Sequence, residues 1–276
     1  MSRAAKTIEK FFSSHPVFRY EELRKSLPDY QNREQAFKNF LLYHKKKGNL
    51  ISIQKGVYAV VSRGDSPEDT YIDPLLLASK LTDDAIIGYQ SALQYHGSLH
   101  SERFETIILT KKKLPSLRVK NETFRYTQYP KTLLEKGLEK IEIEKIQRLS
   151  HFILVTTPER TFVDVLDRPW LIGHDWEEIT HSLEKTYIGR PQALLHYLQC
   201  LGSATTAARV GYFIERKEGH YNISEEIIEQ IYALRPNNPV FLDCALEEDH
   251  CLVKKWNLKI PLSLANSIWE ENALLF

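Results

Sequence analysis

The chain is short of the residues that mark secreted or membrane proteins. Only three cysteines occur among its 276 residues, Cys200, Cys244 and Cys251. An odd count without CxxC spacing supports neither a disulfide framework nor a zinc knuckle, so buried or incidental thiols are expected. No run approaches the roughly 20 apolar residues that a membrane helix needs, and the start, MSRAAKTIEKFF, is amphipathic and charged with no apolar signal region. A soluble, cytoplasmic protein is therefore expected. Also absent are a Walker loop, a GxSxG elbow, an HExxH pair and paired CxxC motifs, as are internal repeats and low-complexity tracts. No catalytic residue, metal or cofactor is expected, and the enzyme reading starts weak.

What is present is 42% hydrophobic residues, enough for a substantial core, and a length that suits two domains. Net charge is only +1, but it is unevenly spread. Residues 1–63 hold thirteen Lys or Arg against five Asp or Glu, a surplus of eight, which leaves the remainder with a deficit of seven. A basic first quarter followed by an acidic remainder points to a nucleic-acid-binding module joined to a domain with another task.

The order of local signals agrees. Ile8, Phe11 and Phe12 recur at helical spacing in residues 3–13, and residues 20–26 form a short second helix closed by Leu27-Pro28. A third helix is predicted from Asn32, with Asn32 and Gln35 in a capping-box pattern, to Gly48. LISI and VYAVV then flank Gln54-Lys55-Gly56, a hairpin signal. Three helices and a two-stranded ribbon are the element order of a winged helix-turn-helix, placed at 1–65. SRGDSPEDT, residues 62–70, has the composition of a linker. Residues 70–276 read as α+β: helices at DPLLLASKL and GYQSALQYHG, strands at FETIILT, TFRYTQY, KIEIEKI and HFILVTT, then five mainly helical segments from Pro158. The tail from Pro236 has no clear period, and irregular packing is expected there.

At about 100° per residue, Phe37, Phe40, Leu41 and His44 form the core stripe of the third helix. The opposite side carries Gln35, Asn39 and Lys46, flanked by Asn32 and Lys38. Asn and Gln can pair bidentately with adenine in the major groove, whereas Arg33 in the first turn and Lys55 at the hairpin tip suit phosphates. The plainer alternative is a solvated helix face with Lys45-Lys46-Lys47 complementing the helix dipole. Outside this module three features could carry chemistry. His96 and His100 have H-x3-H spacing, but Gly97 interrupts it. EIEK at 142–145 resembles nuclease strands, yet alternation explains it. In TTPERTFVDVLDRP, Thr157 caps, Pro158 suits the first turn, and Arg160 and Asp164 are an i, i+4 pair; the functional alternative is an exposed corner of Arg160 and Arg168 that touches a partner.

Taken together, KKKGNLISIQKGVYAVV, residues 73–97, residues 156–179, ARVGYFIE and KKWNLKIP resemble the AbiEi antitoxins of type IV toxin-antitoxin and phage-defence systems. The likeness covers nearly the whole chain. It departs in SLPDYQNREQ, a longer, proline-containing link before the third helix than many relatives have. The resemblance implies an N-terminal domain that binds repeats in its own promoter and represses the operon. It implies a C-terminal domain that counteracts a nucleotidyltransferase-like toxin, with no stable contact required. A winged-helix regulator whose C-terminal domain senses a ligand or partner is the alternative.

Overall fold

A computed structural model describes residues 3–30, 33–99, 101, 103–173, 175–217, 220–243 and 249–265. The fold is α+β. It opens with α1 (Arg3–Ser14), β1 (Val17–Arg19), α2 (Tyr20–Ser26), α3 (Glu34–Lys46), β2 (Leu50–Gln54) and β3 (Val57–Val60). The three strands form a sheet in the order β1-β3-β2 with both pairings antiparallel, Val17 opposite Ala59 and Leu50 opposite Val60. Helix, strand, two helices and a hairpin in that order make a winged helix-turn-helix. β1 carried no sequence signal because it is only three residues long.

This module closes over one apolar cluster. Phe11, Phe18, Leu23, Leu27, Phe37, Leu41 and Leu50 are buried together, with Phe12, Phe40 and Tyr58 packed against them. Each such side chain contributes about 1.5–3 kcal/mol on burial. Helix α3 ends where Gly48 takes φ +73°, a left-handed conformation that glycine adopts without strain. Gly56 at φ +80° turns the hairpin for the same reason. At the other end of α3 the capping residue is Arg33, and Gln35 donates from Nε2 to Asn39 Oδ1 at 3.1 Å. The expected cap, Asn32, lies outside the described residues.

The chain continues with α4 (Pro74–Leu81), β4 (Ile86–Ile87), α5 (Gln90–Tyr95), β5 (Glu105–Thr110), β6 (Leu117–Val119), β7 (Glu122–Gln128), α6 (Lys131–Glu135), β8 (Ile143–Arg148) and β9 (His151–Thr156). These strands form a six-stranded sheet in the order β6-β7-β5-β4-β9-β8. Then follow α7 (Pro158–Asp167), α8 (Trp176–Glu184), α9 (Pro191–Leu201), α10 (Ala204–Arg216) and α11 (Glu225–Ala233). The expected irregular tail is instead a small sheet of β10 (Val240–Phe241), β11 (His250–Val253) and β12 (Leu258–Pro261), in the order β10-β12-β11. Strands of two to four residues are too short to show a period in the sequence.

The chain divides into two compact units: residues 1–87, 104–127 and 145–154 in the first, residues 88–103, 128–144 and 155–276 in the second. The division does not fall at residues 62–70. That segment is a folded turn: Ser66 Oγ donates to Asp69 at 2.7 Å, Thr70 Oγ1 donates to the Ser66 carbonyl at 3.0 Å, and Thr70 is buried. The winged helix is tied to α4 and β9 by polar contacts. Arg19 donates from Nε to the Lys80 carbonyl at 2.8 Å and from its terminal nitrogens to the Thr82 carbonyl at 2.5 Å and to Asp83. Lys80 pairs with Glu22 and lies 3.5 Å from His151 Nδ1, whose ring meets His15 edge-on at 4.6 Å. Ser150 Oγ donates to the Ser14 carbonyl, and His151 Nε2 lies 3.2 Å from the same oxygen.

In the second unit, two stretches far apart in sequence interlock. A Cβ on Gly211 of α10 would fall 2.1 Å from the Trp256 ring, so a hydrogen is all that fits there. The buried indole also donates to Glu215 Oε2 at 2.8 Å.

Burial, together with the charges of Lys80 and His15, holds the His151 pKa below its ordinary value of 6.5; Glu22 and the Ser14 carbonyl act weakly the other way. Burial lowers His44 as well. In both cases the unfolded chain takes up a proton at a pH where the folded chain does not, so stability is full above pH 6.5 and falls below it. Urea unfolding is expected to show a lower midpoint at about pH 5.5 than at pH 7.5, and His151→Gln should shrink that difference without abolishing it, since His44 keeps its share. A midpoint equal at both values would refute this assignment.

Candidate nucleic-acid interface

Helix α3 is divided by face as its periodicity requires. Phe37 and Leu41 are fully packed, Phe40 and His44 half-buried, with the His44 ring 4.5 Å from Phe40 and 5.3 Å from Phe12. Gln35, Lys38, Asn39 and Lys46 are exposed on the other side, as is Arg33 at its start and Lys55 at the hairpin tip. The Gln35–Asn39 hydrogen bond links two side-chain amides, with donors and acceptors to spare, on the outward face.

Lys38 is engaged by Glu34, one turn earlier, at 2.7 Å. The hydrogen bond to Lys38 lowers the Glu34 pKa, and Glu34 raises that of Lys38. Both groups are solvated, so the pair exchanges readily for another partner. Beside them an open cleft of about 710 Å³ separates α3 from the start of α2 and the hairpin tip. Lys38, Lys45 and Lys55 line it with Glu21 and Glu34, together with Leu41, Leu42, Tyr20 and Tyr58. The Tyr20 amide donates to the Gly56 carbonyl at 2.7 Å, which fixes the hairpin tip against α2. Three ammonium groups and two carboxylates thus line one cleft between α3 and the hairpin.

Two features of this face were not singled out from sequence. Lys45 lines the cleft, whereas in the sequence it merged into a run of three lysines. Tyr43 is 56% exposed with Lys47 5.9 Å from its ring, so α3 carries an exposed aromatic flanked by a cation, away from the cleft-lining residues. The helical angle of Tyr43, away from the core stripe, was the available signal.

The other predicted constellation is placed differently. Of the expected exposed corner of Arg160 and Arg168, Arg160 is buried, as is its i+4 partner Asp164. Arg160 donates from Nε to Asp164 Oδ2 at 3.1 Å and from one terminal nitrogen to the carbonyls of Glu139 at 2.9 Å and Ile141 at 2.6 Å. The guanidinium lies 5.2 Å from the Tyr197 ring, and the Tyr197 hydroxyl donates to the other Asp164 oxygen. Burial alone would lower the Arg160 pKa; Tyr197 and Asp164 outweigh it and hold it above its ordinary value. Arg168 is half-buried, donating to the Gln128 carbonyl at 2.8 Å and lying 3.4 Å from Asp167. A partner surface at Arg160 and Asp164 is therefore excluded by burial, and the helix start is structural. Thr157 does cap it, accepting from the Arg160 amide at 3.3 Å.

The remaining candidates have ordinary partners. His96 Nε2 lies 2.8 Å from the Thr156 carbonyl, while His100 is outside the described residues. Of the EIEK segment, Glu142 pairs with Arg190 at 2.7 Å and Lys145 sits 4.2 Å from the Phe152 ring. Among the described residues no group of three or more potential metal ligands converges, and no helix is long and apolar enough to cross a membrane. Cys200 and Cys251 are half-buried free thiols, and Cys244 is outside the described residues.

No family model matches the chain, and no curated protein matches it. Among solved structures, the crystal structure of the RV2827C protein from Mycobacterium tuberculosis is similar, with a TM-score of 0.61 and 16% identity over 96% of this chain and 94% of that one. The likeness shows that this α+β fold is shared across nearly the whole length.

Removing the Arg160 side chain would leave Asp164 buried without its cation. Arg160→Ala is expected to cost about 3–5 kcal/mol in denaturant unfolding, with no direct effect at the α3 face. A loss under about 1 kcal/mol would return this residue to the surface reading.

Proposed function

We propose that the chain is a DNA-binding autorepressor and the antitoxin of a type IV toxin-antitoxin system. Its partners are then double-stranded DNA carrying its own promoter repeats and, functionally, a nucleotidyltransferase-like toxin. The observation that carries the DNA half is the pairing of an exposed amide array, Gln35 and Asn39, with the lysine-lined cleft beside the Lys55 hairpin. The array reads base edges in the major groove; Lys38, Lys45 and Lys55 hold phosphates and set the register. Glu34 releases Lys38 when a phosphate replaces it. Arg33 and Lys46, exposed at the two ends of α3, grip the backbone on either side. The antitoxin half rests on the five sequence segments that resemble AbiEi proteins, and its test is co-expression with the adjacent gene.

Fluorescence titration on the upstream promoter fragment tests the DNA half. Affinity should fall steeply with salt, by roughly 0.9 in log-log slope per phosphate contact. Asn39→Ala should relax preference at one or two base positions, each otherwise worth about 1–3 kcal/mol, whereas Lys55→Ala should weaken all sequences alike and reduce the salt slope by about 1. Binding independent of salt, or an Asn39→Ala profile identical to the native one, would contradict the assignment.

A further inference from the structure

The first compact unit holds more basic surface than the winged helix. It carries twenty-two Lys and Arg against thirteen Asp and Glu, so the first unit is at +9 and the second at −8. Part of that excess comes from the segment joining β5 to β6, where Lys111, Lys112 and Lys113 stand in succession and all are exposed. Like charges at three consecutive positions repel one another, which disfavours a fixed geometry unless the backbone is held.

Here the backbone is held. The Asp84 carboxylate accepts from the Lys111 amide at 2.6 Å and from the Thr110 hydroxyl at 2.6 Å, and the Lys112 amide donates to the same hydroxyl at 3.2 Å. Burial pushes the Asp84 pKa up, but these hydrogen bonds outweigh it and keep the carboxylate below its ordinary value. The three lysines thus project from a pinned turn. Their position is set by a short chain of contacts. Lys112 Nζ lies 3.6 Å from Asp83, Asp83 pairs with Arg19, and the next residue, Tyr20, bonds Gly56 at the wing tip beside Lys55.

We propose that the turn at Lys111–Lys113 is a second phosphate-contacting surface, which extends the DNA footprint from the wing tip to the duplex flanking the operator. It rests on the DNA-binding reading of α3 and the wing. A duplex is the occupant the charge fits: three successive lysines, joined through Asp83 and Arg19 to the wing tip, lie in the same +9 unit as the cleft of Lys38, Lys45 and Lys55. The contacts are to backbone only, since lysines on a turn offer no bidentate base pairing. Asp83, shared between Arg19 and Lys112, keeps Lys112 in place until a phosphate takes it over.

The test uses the full chain, native and with Lys111, Lys112 and Lys113 all changed to Gln, on a long promoter duplex and on one trimmed to the α3 site. On the long duplex the triple variant should lose about 2–3 from the log-log salt slope, with a base-substitution profile unchanged from native; on the trimmed duplex the two proteins should bind equally. A triple variant with the native slope on the long duplex, while Lys55→Ala loses slope, would overturn the proposal and leave the turn to an acidic protein partner. Native protein showing no salt-dependent binding to either duplex would instead overturn the DNA-binding reading itself, and this inference with it.

Discussion

The guanidinium of Arg19 is the joint on which the first unit depends. Arg19 ends β1 and caps α2, so its backbone belongs to the winged helix, while its side chain reaches the carbonyls of Lys80 and Thr82 and the carboxylate of Asp83 at the end of α4. Those carbonyls sit at a helix C-terminus, where partners within the helix have run out and a cation is favoured. Lys80 answers in the other direction by pairing with Glu22 of α2, whose carboxylate also accepts from the Arg19 amide at 2.7 Å. Burial pushes Glu22 up, yet Lys80 and that amide hold it below its ordinary value, so it stays ionised.

From this joint follows the arrangement of charge. A winged helix on a loose tether would carry its positive surface alone. Fixed to α4 and the sheet, it shares one unit with the lysines between β5 and β6, and the charge divides by unit more completely than by position in the sequence. Under the proposed DNA-binding function, the positive unit is the part that would concentrate on the duplex.

Much of this was legible in the sequence, for stated reasons. Long periodic segments such as Glu34–Lys46 and Ala204–Arg216 declare themselves through helical spacing and their terminal signals, and the wing declares itself through Lys55-Gly56 between β-rich runs. The outward face of α3 was readable by angle alone. What was not readable depended on partners far along the chain. Arg160 has the composition of a surface residue, and only the carbonyls of Glu139 and Ile141 with the Tyr197 ring make a buried place for it. The segment at 62–70 has the residues of a linker, but those residues also make self-bonded turns, and here they do. The short terminal sheet was not readable because strands of two to four residues show no period and are defined only by their pairing with one another.

The winged helix, α4 and β5 belong to one compact unit, which should open cooperatively. Native-state hydrogen exchange resolves this directly. The slowest amides of α3 and β3 should exchange with the same opening free energy as those of β5, and Arg19→Ala should separate the two sets by lowering α3 and β3 first. Separate opening of α3 and β3 in the native protein, well below the β5 value and unaffected by Arg19→Ala, would contradict it.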